Sequence, residues 1–144
     1  MLETIHEENW KEAETQSRDG EKIPYAILEL LTNNAQEFDA AYWKIENHVV
    51  VQGDLYSSAA LVPKYLEEVY LKAKFKPGVQ ELLFQIGNGV SQNQELEHQC
   101  FNEVVAVFKR LIAHSEIQGT ENEKALTEEL AELQELHNER KHTQ

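Results

Sequence analysis

The chain is poor in everything that would cross-link it or anchor it. A single cysteine, Cys100, among 144 residues excludes an intramolecular disulfide framework and any cysteine-based zinc cluster. No apolar run approaches the roughly 20 residues of a membrane-spanning helix. The opening MLETIHEENWKEAE has neither a basic stretch nor an apolar core, so no signal peptide is expected. These absences point to a cytoplasmic protein. Positive charge is scarce as well: 13 lysines and arginines stand against 26 acids, a net charge of -13. Such a field repels phosphate backbones and anionic lipid, which argues against nucleic-acid and membrane partners. It favours a basic protein partner, although an acidic surface also serves solubility alone.

The charge is uneven. Residues 1–22 carry seven acids against three bases, and so do residues 121–144. The one cationic cluster lies in the middle, Lys72, Lys74 and Lys76 with Lys64 nearby. Residues 1–22 read as an acidic, partly helical N-terminal segment, and 23–144 as a helical domain.

What is abundant is helical periodicity. Pro24 suits the first turn of a helix over IPYAILELL. Asn34 and Glu37 have capping-box spacing, and Phe38, Ala41, Tyr42, Ile45 and Val49 then fall on one face. After Gly53, Ser57 or Ser58 is a candidate cap for a third helix, with Pro63 marking its start or a bend. Its stripe is Val62, Tyr65, Leu66, Val69, Tyr70 and Ala73. Lys76-Pro77-Gly78 reads as a break, followed by a short helix with Val79, Leu82, Leu83 and Ile86 inward. Gly87 and Gly89 read as a helix stop through positive φ. Ser91 and Gln94 suggest a capping box before the longest stripe, Phe101, Val104, Val105, Phe108, Leu111 and Ile112. Gly119 and Thr120/Glu123 introduce a last helix from Glu121 to about Arg140, with Leu126, Leu130, Leu133 and Leu136 as a narrow seam. HVVVQ alone has a β-like composition, and no strand pairing is required. The fold class is all-α.

AILELLTNN and ELLFQIGNG align at an offset of 55 residues, each a short helix and a polar turn before a longer helix. Repeated helix hairpins are the mark of a stacked α-solenoid. Between Leu30 and Tyr70 the chain resembles bacterial HEAT-like repeat proteins. The shared pattern is Trp43, Gln52-Gly53, Tyr56, the small residues Ala59 and Ala60, and Val62-Pro63 opening a helix that contains Leu66. The resemblance implies an α-α superhelix of about three hairpins that holds other macromolecules. It also implies an immunity or regulatory role for some members, and no shared catalytic set.

Chemistry-bearing patterns are thin. Glu3/His6 and Glu95/His98 have the Glu-x-x-His spacing of carboxylate-bridged metal bundles, but the two further inward glutamates such a centre needs are not evident. His48 suits the carbonyl end of its helix. Cys100 has no oriented base and reads as a buried thiol. Gly87-Asn88-Gly89 lacks the lysine and hydroxyl of a phosphate loop. No catalytic, cofactor or metal residue is assigned, and no enzyme activity is expected. Trp43, Gln52 and Tyr56 are the candidate partner-binding residues, against a competing core role for the two aromatics. A protein-binding module is the leading reading. A small helical enzyme or metal-binding bundle, and a structural homodimer, are the alternatives.

Overall fold

The computed structural model describes residues 1–13, Thr15 and 20–143, with only the backbone of His142 and Thr143. Part of the acidic N-terminal segment, Glu14 and 16–19, lies outside the described residues. The chain is mostly helical: α1 (Ile23–Glu29), α2 (Ala35–Val49), α3 (Pro63–Lys72), α4 (Lys76–Gly87), α5 (Gln94–Ala113) and α6 (Glu121–Thr143). Among the described residues three 3-10 segments, Leu2–Glu7, Gly20–Lys22 and Ser57–Leu61, precede α1 and α3. No helix is long and apolar enough to cross a membrane among the described residues.

The expected faces of α2, α3 and α4 are the buried ones, and α2 starts with a complete capping box. The Asn34 side chain accepts from Gln36 N and Glu37 N, and the Glu37 carboxylate accepts from Asn34 N. Leu2, Ile5 and Trp10 join the same core, with the Trp10 indole donating to the Ile5 carbonyl at 2.7 Å.

The helices pack in two rows. In one, α3 lies between α1 and α5; in the other, α4 lies between α2 and α6. Across the rows α1 packs on α2, α3 on α4, and α5 on both α4 and α6.

Several local expectations are corrected. Lys76-Pro77-Gly78 opens α4 instead of breaking the chain, because proline fits the first turn. Neither Ser57 nor Ser58 caps a helix: α3 begins at Pro63, and Ser58 is buried with its hydroxyl unpaired. Asn93, not Ser91, caps α5, accepting from Glu95 N and Leu96 N. The buried stripe of α5 is rotated to include Cys100 and Val107, leaving Phe101, Val105 and Ile112 at its margins. In α6, Leu126 and Leu133 are fully buried while Leu130 and Leu136 are half-buried.

The valine run does pair. Val50–Val51 (β1) and Asp54–Leu55 (β2) form an antiparallel hairpin, and Val90 adds a parallel bridge to Asp54. The two turn residues have positive φ, 53° at Gln52 and 86° at Gly53, which makes the tight hairpin turn whose twist matches its strands. Gly87 and Gly89 do not have positive φ. Their role is close approach, since a Cβ on Gly89 would sit 2.5 Å from the Leu55 side chain.

Two stability outcomes follow from this geometry. Gly53→Val should cost about 1 kcal/mol or more, because a β-branched residue resists positive φ, whereas Gln52→Asn should be neutral or stabilising. Denaturant melts of the two variants check the opposed signs. Truncation after Gly119 removes the cover over α4 and α5, so the shortened chain should aggregate where the full chain stays soluble. Size-exclusion chromatography reads that difference.

Candidate protein-interaction face

The three residues singled out by sequence occupy two places. Gln52 is exposed at the apex of the hairpin. Tyr56 is half-buried just after β2, its amide donating to the Val49 carbonyl at 2.9 Å. Trp43 stands about two turns before the end of α2, 52% exposed, its ring edge-on to Tyr42 at 5.3 Å. No hydrogen bond or ring contact joins Trp43 to Gln52 or Tyr56. A cleft of about 460 Å³ adjoins the hairpin turn, lined by Gly53, Asn88, Val90 and the end of α6. There the Arg140 guanidinium donates to both the backbone and side-chain oxygens of Asn88, at 2.9 and 3.1 Å.

Trp43 shares a flank of α2 with Asp39 and Glu46, four residues before it and three after. The opposite flank faces α1, where Lys44 pairs with Glu29 at 3.2 Å. Tyr42, whose ring Trp43 meets edge-on, lies instead within electrostatic reach of Glu81 on α4. Burial pushes the Tyr42 hydroxyl well above its ordinary range, helped by its hydrogen bond to Glu46 and by the charges of Glu46 and Glu81. Glu81 is exposed at the middle of α4 and acts in turn on Glu129 of α6. Burial is the main reason the Glu129 carboxyl lies above the usual carboxylate range. A hydrogen bond with Gln80 opposes that rise, and repulsion from Glu132 and Glu81 adds to it. Gln80 also ties the two helices together, donating to the Ala125 carbonyl at 3.3 Å.

The α2–α4–α6 row therefore brings Glu46 and Glu81 to Tyr42, and Glu81 and Glu132 to Glu129, while Trp43 is exposed on α2 beside Tyr42. The bases of α2 and α6 are Lys44, which pairs with Glu29 of α1, and Lys124, Arg140 and Lys141. The only one in α4 is its first residue, Lys76, whose ammonium donates to the Ala73 and Leu71 carbonyls.

The other row is different. On α3, Lys64 pairs with Glu8, Lys72 with Glu68 at 3.4 Å, and Glu67 with Arg110 of α5 at 2.7 Å. The Lys64 hydrogen bond holds Glu8 below the ordinary carboxylate range, with Tyr65 donating to the same carboxylate at 3.0 Å. Most of the sequence's cationic cluster is thus engaged by ion pairs or helix-end carbonyls. Sequence reasoning missed the grouping of Glu81, Glu129 and Glu132. Glu81 sits on a separate helix from the other two, and no local spacing signals their meeting.

Other candidates resolve simply. Among the described residues no group of three or more His, Cys, Asp or Glu converges. Burial, then the Glu103 charge, pushes the Cys100 thiol up to about 12, which makes it a poor nucleophile. His48 donates from Nδ1 to the Lys44 carbonyl near the end of α2. In comparisons with known proteins, no family model, curated sequence or solved structure matches the chain.

The electrostatics of the face can be tested on the free protein. Glu129 holds its proton more tightly folded than unfolded, so stability falls as pH rises from its ordinary 4.5 through its raised folded value. Above both values the ionised carboxylate is a constant cost. Glu129→Gln should therefore raise the melting temperature by a few degrees at neutral pH. The gain should vanish below pH 4.5. Thermal melts across that range check both parts.

Proposed function

We propose that the chain is a non-enzymatic, cytoplasmic protein-binding module that holds a basic protein partner on its α2–α4–α6 face. The observation that carries this reading is charge segregation. Ion pairs engage Lys64, Lys72 and Arg110 on the α3 side, while on the other row Glu129 is repelled by Glu132 and Glu81, and α2 exposes Trp43. Such an arrangement attracts a cationic surface from a distance and offers an apolar anchor at contact. Packing of α1 on α2, α3 on α4 and α5 on α6, with each helix also against the next but one, supports a HEAT-like stack of three hairpins. On this reading α2, α4 and α6 form the binding row, and an antidote or regulatory role toward a basic protein follows from the same charge.

The test is a pull-down from the native cell at low and at high salt, followed by binding kinetics on the partner recovered. Basic proteins should be retained at low salt and released at high salt. Trp43→Ala should speed dissociation by roughly tenfold or more, as loss of an aromatic anchor does. Glu81→Lys should mainly slow association. Neutral or acidic partners, or binding indifferent to salt and to both substitutions, would overturn the reading.

A further inference from the structure

The seam between α5 and α6 brings two histidines together. His98 lies in the second turn of α5 and His137 near the end of α6, and the helices run antiparallel. The two ring centroids are 6.1 Å apart with planes at 72°. Phe101, one turn beyond His98, stacks on His137 at 3.7 Å and 10°, which fixes the plane of that imidazole. Stacking occupies the ring's face and leaves the in-plane nitrogen lone pairs available. His98 is exposed and His137 half-buried, so both rings border solvent, and Lys141, Arg140 and Glu97 all lie within electrostatic reach of His137.

We propose that His98 and His137 form an interhelical two-imidazole site for a late divalent transition metal such as Zn²⁺ or Cu²⁺, which clamps the end of α6 to α5. Imidazole nitrogens suit these borderline ions, whereas Mg²⁺ and Ca²⁺ require oxygen donors. The exposed His98 side chain can turn its nitrogen toward His137 with no repacking of the core. No third His, Cys, Asp or Glu completes the set among the described residues, so water fills the remaining positions. This differs from the carboxylate-bridged centre that Glu-x-x-His spacing suggests, because the two helices contribute imidazoles and not a glutamate cage.

Cu²⁺ alone, titrated into the full chain at neutral pH and followed by electron paramagnetic resonance, should saturate at one equivalent with two nitrogen donors. Zn²⁺ should raise the melting temperature and Mg²⁺ should not. His98→Gln should weaken Cu²⁺ binding about a hundredfold, because a chelating pair becomes a single ligand. It should also remove the Zn²⁺-dependent rise while leaving the metal-free melt unchanged. His137→Gln should lose the metal response too, with a lower metal-free melt from the lost Phe101 stack. His114→Gln should bind like the parent. Binding that survives His98→Gln, a one-nitrogen spectrum, or the absence of saturable binding overturns the proposal.

Discussion

The structure depends on how closely its neighbours approach α4. This helix packs against α2, α3, α5 and α6, and two glycines set the spacing. A Cβ on Gly78 would lie 2.3 Å from the Phe38 ring of α2. One on Gly87 would lie 2.9 Å from Val104 of α5 and 3.1 Å from Leu133 of α6. Glycine inside a helix costs up to about 1 kcal/mol relative to alanine. Here the loss is offset by aromatic and aliphatic contacts that no larger residue would permit.

That packing also shapes the surface. With Val79, Leu82, Leu83 and Ile86 buried and the two glycines covered, Pro77 and Glu81 are the exposed residues of α4. Whatever the middle of the α2–α4–α6 row offers to solvent is therefore set largely by Glu81, flanked by Glu46 on one side and Glu129 on the other. The contact that builds the core and the carboxylate that centres the candidate interface belong to the same dozen residues.

Much of this was legible in the sequence wherever the signal was local. The faces of α2 and α3 follow from 3.6-residue periodicity, and the Asn34/Glu37 box from side chains three residues apart. Misreadings arose where a local cue had two physical meanings. Lys76-Pro77-Gly78 resembles a break, yet Pro77 starts a helix and Gly78 makes room for Phe38. Gly89 looked like a positive-φ stop, but it is small so that Leu55 can lie against it. Gln52-Gly53 was placed correctly as a reversal, while its strand pairing went unseen because two residues per strand leave no periodicity to detect. The site was less legible than the fold. Trp43 stands out in the sequence as an aromatic beside the hairpin, whereas Glu46, Glu81 and Glu129 come from helices far apart in sequence and meet only through the stacking of alternate helices.

An acidic face on a folded protein has a cost that solubility does not require. Carboxylates scattered among bases would keep the chain soluble with less mutual repulsion, and the α3 side shows such pairing within this chain. On the α2–α4–α6 row, Glu129 is instead part-buried beside Glu132 and within reach of Glu81, an arrangement that raises the energy of its ionised form. A cationic surface docking there would relieve that repulsion and displace water from Trp43 in the same step. Close approach matters for both effects. Charges act weakly beyond about 8–10 Å in physiological salt, and the tryptophan contributes only on contact. On the proposed reading the two features are complementary in range: the acids would accelerate encounter, and the indole would govern how long a complex lasts.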